Sequence, residues 1–318
     1  MSAEHDVQIQ RDGFDLIGDV HGCGVLLTRL LEKMGYQSHA GVYVHPTRRA
    51  IFLGDLIDRG PHVQKALDIV RRMVEAGTAL IVMGNHEAHA LNQCLAEEDH
   101  VPRRPGEHGE RVMHETLAQF RNAQCLWGDY LEWFLDMPLC LEFDHFRVAH
   151  ACWDETLLRD FLTERPNGRI DRHFLTRASV AGSLEHRVLD RTTRGTQLRL
   201  PDHQVIRSRD GFRRHSFRTH FWAHTPQTYG DVVFQPDPLP SVLEDQPLSD
   251  AERTQLVCYG PEERPLFVGH YWCEGIPALP AVNVACLGYS AVRGGRLVAY
   301  RFDGEAVLDA RRFCWVSA

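Results

Sequence analysis

The sequence has no run approaching the ~18 consecutive apolar residues that a membrane-spanning helix requires. Its nine cysteines are scattered singly from Cys23 to Cys314, and no C-x-x-C pair occurs among them. That pattern excludes a disulfide scaffold and a structural thiolate–zinc site, and it points to reduced thiols in the cytoplasm. Positive charge is not in excess either. A formal net charge of −8 argues against a stable nucleic-acid binder or a membrane-surface protein. The opening stretch, "MSAEHDVQIQRDGFDLIGD", has neither the basic nor the apolar segment of a secretory signal, so none is expected. Internal repeats and low-complexity tracts are lacking.

What is present is a chain long and apolar enough for a full core, with 318 residues of which 43% are hydrophobic. Its first hundred residues alternate two periodicities. The short apolar runs "FDLIG" (14–18), "AIFLG" (50–54) and "ALIVMG" (79–84) read as strands. Between them, Leu26, Leu27, Leu30, Leu31 and Met34 recur at helical spacing up to Gly35, and Val63, Ala66, Leu67, Val70, Met73 and Val74 do so up to Gly77. This alternation predicts a largely parallel sheet with helical crossovers. A polar loop is expected over 97–111, then a helix through Trp127, Tyr130, Trp133 and Phe134, then a strand in "HFRVAHACW" (145–153). From about 155 to 260 the pattern loosens. We read that stretch as an insertion or cap within one domain spanning 1–318, because strands resume at "PLFVGHYW" (265–272). "AVNVACLGYS" and "GRLVAYRFDG" are expected to complete a second sheet.

Five strand ends carry residues of the metal-binding type: Asp19 and His21 in "GDVHG", Asp55 in "GDLIDRG", Asn85 and His86 in "GNHE", His150 in "VAHA" and His270 in "VGHY". One Gly-Asp after a strand is an ordinary turn; five such ends together are not. Carboxyl ends of strands in α/β sheets converge on one crevice. A two-metal site needs a carboxylate able to bridge ions ~3.5–4 Å apart, and Asp55 is the candidate. Asp19 and His21 can reach one ion, while Asn85, His150 and His270 complete the other. The neutral amide and imidazoles limit negative charge, which keeps the ions electrophilic towards an anionic phosphate. Nitrogen and oxygen donors without thiolates suit Mn, Fe, Co, Ni or Zn.

In combination these motifs resemble the calcineurin-like metallophosphoesterases, and most closely the branch of phosphoprotein phosphatases and bis(5′-nucleosyl)-tetraphosphatases. The first hundred residues are also similar to the phosphatase domain of bacterial polynucleotide kinase–phosphatases. The resemblance implies a four-layer α/β/β/α sandwich and two divalent ions, Mn²⁺ being favoured, held by Asp19, His21, Asp55, Asn85, His150 and His270. It implies that His86, oriented by Asp58, protonates the leaving oxygen, and that Arg59 grips the phosphate together with Asn85. The implied reaction is direct attack of metal-bound hydroxide on phosphorus, with no phospho-enzyme.

Departures from the family bear on the substrate. Asp58 is present, whereas symmetrical tetraphosphatases often lack that acid, and Asn283 stands where they tend to carry Asp. "VAHAC" replaces the His-Gly-Gly of eukaryotic protein phosphatases. Between His150 and His270 the chain matches neither branch. There Arg199, Arg207, Arg209, Arg213, Arg214 and Arg218 crowd around Phe212, Phe217, Phe221 and Trp222. They can supply further phosphate contacts, Arg218 among them, with an aromatic platform for a base, or simply form a hairpin turning at Asp210-Gly211. The favoured substrates are dinucleoside polyphosphates or other nucleotides. The alternatives are a serine/threonine or tyrosine protein phosphatase and a phosphodiesterase or nucleic-acid end phosphatase.

Overall fold

The computed structural model describes residues 13–98, 112–201, 204–207, 213–234 and 239–318. Almost all of the predicted 97–111 loop, and the Asp210-Gly211 turn with Arg209 and Phe212, lie outside the described residues.

Residues 13–98 give the strands and helices that their periodicities predict, with an additional β2–β3 pair. In order they give β1 (Gly13–Ile17), α1 (Gly24–Met34), β2 (Gln37–His39), β3 (Val42–Val44), β4 (Arg48–Phe52), α2 (Val63–Glu75), β5 (Ala79–Ile81) and α3 (Asn85–Glu98). Helix α1 stops at Gly35, which takes a left-handed φ of 96° that a side chain would resist. Two helices, α4 (His114–Phe120) and α5 (Gln124–Leu135), lead into β6 (Cys140–Glu142) and β7 (Arg147–Ala149). Next come α6 (Glu155–Glu164), α7 (Arg172–Ala178) and α8 (Leu184–Arg194), then β8 (Thr196–Arg199), β9 (Ile206–Arg207), β10 (Arg213–Arg214) and β11 (Ser216–Thr219). The chain closes with β12 (Leu266–Val268), β13 (Val284–Cys286), β14 (Arg296–Phe302) and β15 (Phe313–Ser317).

Two mixed sheets result, ordered β15-β14-β1-β4-β5 and β13-β12-β7-β6. Side-chain alternation sorts each strand between two cores. Leu16, Ile51, Phe267 and Ala285 face the layer between the sheets, alongside Val148, Leu287, Tyr300 and Phe302. Their neighbours Ile17, Ala50, Phe52, Leu266, Val268, Val284 and Cys286 join the helix-covered core. Strands buried on both faces read as continuous apolar runs, which is how these runs appear in the sequence. The outcome is an α/β/β/α sandwich.

One expectation needs correcting. Only "AVNVACLGYS" joins the second sheet, through β13. "GRLVAYRFDG" becomes β14 and pairs antiparallel with β1 of the first sheet, Phe302 lying opposite Phe14. The chain crosses between sheets at Ser290–Gly295, and two adjacent strands that are each apolar on both faces give no local signal of which sheet each one enters.

The looser stretch has a small apolar core of its own around Leu198, Ile206, Phe217, Tyr229, Val232 and Leu243. β8 pairs with β11 and β9 with β10, all antiparallel, so the Arg-rich segment is built of hairpin pairs. Phe217 and Phe221 are wholly buried, and Trp222 packs on Tyr271. Of the two readings of this stretch the hairpin is favoured: Phe217 and Phe221 are core, and Trp222 is half-buried against it.

Candidate metal centre

All of the strand-end residues converge, but from two sheets. Asp19, Asp55 and Asn85 follow β1, β4 and β5; His150 and His270 follow β7 and β12. Close approach explains two of the preceding glycines. A Cβ on Gly269 would lie 2.1 Å from Asp19 Oδ1, and one on Gly84 would lie 2.3 Å from Asp55 Oδ1.

Asp55 is the hub. Its Oδ1 accepts the His86 backbone N–H at 2.9 Å, at the N-terminus of α3 where the helix dipole favours an anion. Its Oδ2 faces His21 Nε2 at 3.5 Å and His150 Nε2 at 3.4 Å. Both imidazoles are oriented from behind: Nδ1 of His21 donates to Ile57 O at 3.1 Å, and Nδ1 of His150 to Leu53 O at 2.5 Å. That choice of tautomer turns the Nε2 lone pairs inward, the usual arrangement behind a metal-ligating histidine. Asn85 Oδ1 lies 3.1 Å from His150 Nε2 and 2.8 Å from His270 Nδ1. Asp19 accepts the His270 backbone N–H on both oxygens at 3.1 Å. Imidazole donors thus face one carboxylate oxygen from His21 and from His150, with Asn85 beside His150 and His270, and Asp19 beside the His270 backbone.

The electrostatics match a cation cradle. Burial, reinforced by Arg59, pushes the His21 imidazole well below its ordinary range. Burial and Arg218 do the same to His270. Burial opposes ionisation of Asp55, yet His150, His86 and His21 hold its carboxyl well below the usual range. Burial would likewise depress His150, but Asp55 raises it to about 9, which measures how strongly this carboxylate draws positive charge. Burial pushes Asp19 up to about 6.

Do the residues fit the divalent ions? His21 Nε2 is buried with no hydrogen-bond partner, and such an orphan is costly unless a ligand completes it. The donors are imidazole, carboxylate and amide, as such ions prefer. The set fits. His21, Asp55 and His86 also offer ligand atoms within 4.8 Å of one another. Both His86 nitrogens are nevertheless engaged elsewhere: Nδ1 lies 2.5 Å from Asp58 Oδ2, and Nε2 lies 3.2 Å from Arg59 Nη2. A cation would not share a nitrogen with a guanidinium, so we keep His86 outside the ligand set.

Backbone geometry singles out the same residues. Among the described non-glycine residues, eight have positive φ, and five of them are His21, Asp55, Asp58, Arg59 and His270. Such conformations persist only where surroundings over-determine them.

Glu87 is one residue whose role sequence reasoning missed. It is buried, and its carboxylate accepts the N–H groups of Asp55 at 2.8 Å, Leu56 at 2.8 Å and Gly84 at 3.0 Å. It thereby ties the "GNHE" turn to the "GDLIDRG" loop. Burial, then Asp55, pushes its carboxyl up to about 7. Glu87→Gln would turn an amide N–H₂ towards a backbone N–H, so we expect about 1–3 kcal/mol of destabilisation. A lower Tm together with a lower metal content checks this; an unchanged Tm would remove Glu87 from the frame. Trp272 was also missed. Its ring lies 4.6 Å beneath the Arg59 guanidinium carbon.

Arg218, on β11, reaches His270 O at 3.4 Å, and burial lowers its guanidinium to about 10. The looser stretch therefore does place a cation at the rim of the cradle. Asn283 serves another purpose: its amide N–H₂ donates to Gly260 O at 2.8 Å and Glu263 O at 2.9 Å, which an aspartate could not do.

Comparison with known proteins gives a consistent picture. The calcineurin-like phosphoesterase family matches residues 14–228. The chain is 50% identical over 123 residues to a protein of Halalkalibacterium halodurans named bis(5′-nucleosyl)-tetraphosphatase PrpE [asymmetrical], a match covering 34% of this chain and 47% of that one. The chain spans about half the length of the curated relatives it matches. Among solved structures, a protein serine/threonine phosphatase from Saccharomyces cerevisiae aligns over 98% of this chain and 81% of its own, with a TM-score of 0.51 and 12% identity. A cold-active protein-tyrosine phosphatase from a Shewanella species aligns over 94% and 81%, with a TM-score of 0.50 and 15% identity. At such identities the two likenesses show the fold alone.

Proposed function

The chain belongs to the calcineurin-like phosphoesterase family, which implies divalent metal ions, and on that footing we propose a phosphoric-ester hydrolase whose favoured substrates are dinucleoside polyphosphates or other nucleotides. The observation that carries this reading is the position of Asp55 Oδ2 between the inward Nε2 atoms of His21 and His150, with the His86–Asp58 pair beside it. Asp19 and His21 would hold one ion and Asn85, His150 and His270 the other, with Asp55 serving both. Two divalent ions so held would supply Lewis acidity at the phosphoryl oxygens and activation of water.

The chain's own residues do the rest. Asp58 fixes the His86 tautomer by accepting from Nδ1, so the proton destined for the leaving oxygen resides on Nε2. A protonated Nε2 cannot accept from Arg59. Trp272 stacks under that guanidinium and keeps it near. The Asn85 amide N–H₂ and Arg218 would hold further phosphoryl oxygens, Arg218 from the His270 side. We read residues 1–318 as one domain in which the 155–260 insertion supplies specificity through Arg218.

The tetraphosphatase names of the relatives favour the nucleotide class for this chain. The test is a panel run with Mn²⁺, and repeated with Fe²⁺, Zn²⁺, Co²⁺ and Ni²⁺: diadenosine tetraphosphate, mononucleotides, phosphoserine and phosphotyrosine peptides and a 3′-phosphorylated oligonucleotide. We expect the highest kcat/KM on diadenosine tetraphosphate, with Mn²⁺ the best ion. Because those names carry the word asymmetrical, the products should be a triphosphate and a monophosphate in place of two diphosphates. Arg218→Ala should raise KM about tenfold on the tetraphosphate, the loss of one charged hydrogen bond. A preference for phosphopeptides would overturn the substrate assignment. The cysteines, all free thiols, support a cytoplasmic location, which cell fractionation tests.

A further inference from the structure

Thr116 lies on α4, a helix that contains none of the strand-end motifs. Its side chain is wholly buried. A buried helical threonine ordinarily returns its hydroxyl to the carbonyl one turn back. Here the hydroxyl instead donates to Asp58 Oδ1 at 2.5 Å and accepts the Asp58 backbone N–H at 2.9 Å. The other oxygen of that carboxylate, Oδ2, lies 2.5 Å from His86 Nδ1. One helical turn on, Gln119 accepts the Val63 N–H at 2.8 Å and donates to Gly60 O at 3.1 Å. One face of α4 thus grips both ends of the 58–63 segment, in which Asp58 and Arg59 have φ values of 68° and 67°.

We infer that Thr116 is a positioning residue for proton transfer, acting through Asp58 on His86. The inference rests on His86 being the proton donor of the proposed reaction. Holding both the backbone N–H and Oδ1 of Asp58 leaves the carboxylate one orientation, with Oδ2 on the imidazole. The hydroxyl is a neutral donor, so the charge of Asp58 stays available to the histidine. Without it, the carboxylate gains rotamer freedom, the imidazole loses its fixed direction, and proton delivery slows. Arg59 keeps its other anchors, Trp272 beneath it and Gln119 on Gly60 and Val63, so binding of phosphate and metal is expected to hold.

The test compares the full-length, Mn²⁺-loaded protein with Thr116→Val, Thr116→Ser and Thr116→Val/His86→Asn, on two aryl phosphates. Phenyl phosphate needs its leaving oxygen protonated, whereas 2,4-dinitrophenyl phosphate does not. We expect Thr116→Val to lower kcat on phenyl phosphate about tenfold to a hundredfold, the cost of a mispositioned group. On dinitrophenyl phosphate the loss should be much smaller, with KM and metal content unchanged. Thr116→Ser should restore most of the rate. In the His86→Asn background, Thr116→Val should cost nothing further, because the two act as one unit. Equal losses on both substrates, full additivity with His86→Asn, or no rescue by serine would each overturn the inference. If the valine variant fails to fold, Thr116→Ala enters the same comparison, since a water can refill the polar gap. Should the metal-loaded wild type hydrolyse neither aryl phosphate, it is the hydrolase reading that fails, and not the role of Thr116 within it.

Discussion

Asp55→Asn is expected to reduce the bound metal from two ions per chain to one or none, and to lower kcat/KM by about 10³-fold or more, several kcal/mol of charge stabilisation being lost. The geometry sets this size. Oδ2 of Asp55 is the atom that both His21 Nε2 and His150 Nε2 face. An amide there either turns N–H₂ donors towards two nitrogen lone pairs or presents a neutral oxygen in place of a charged one. Both outcomes weaken the cradle on both sides. Folding should survive, because asparagine tolerates the left-handed φ of 51° found at this position. The checks are metal analysis of the purified protein, steady-state kinetics and a thermal melt. A variant that melts normally, retains two ions and turns over at the wild-type rate would end the bridging role.

His86→Asn should behave differently. We expect kcat to fall by about 10²- to 10⁴-fold, the usual contribution of a positioned general acid, while metal content stays at two. The penalty should be steepest on substrates whose leaving oxygen is most basic. This contrast is informative because His86 lies close enough to His21 and Asp55 to be mistaken for a ligand. Loss of metal from His86→Asn would place the imidazole in the coordination sphere and remove the proton-donor role.

The convergence of the metal-type residues was legible because each follows an apolar run, and four of the five strand ends place a glycine directly before the first of them. Local periodicity likewise located α1, α2 and the strands that carry Asp19, Asp55 and Asn85. Long-range partnership was not legible. Whether β14 pairs with β1 or with β13 depends on a crossing at Ser290–Gly295 that leaves no trace in either strand's composition. Glu87 stood in plain view inside "GNHE", yet its three acceptor contacts are made to backbone N–H groups, which have no sequence identity. Thr116 and Gln119 sit on a short polar helix with nothing to mark them. Their importance comes from facing residues 56 to 59 positions earlier in the chain. The arginine-rich stretch showed its charge but not its folding. Phe217 and Phe221 proved to be core, and Arg218 reaches the cradle at the His270 carbonyl.

The left-handed residues at the centre set the terms on which this protein can be improved. Each of His21, Asp55, Asp58, Arg59 and His270 holds a left-handed φ, at about 1–2 kcal/mol for the histidines and the arginine and less for the aspartates. Glycine at any of them would relieve that backbone cost while removing chemistry, and at Asp55 and Asp58 it would also leave the His86 N–H and the Thr116 hydroxyl without their acceptors. Backbone ease and chemistry are therefore opposed at these five positions, and the strain around Asp55 persists because the side chains that carry it are the ones that converge there.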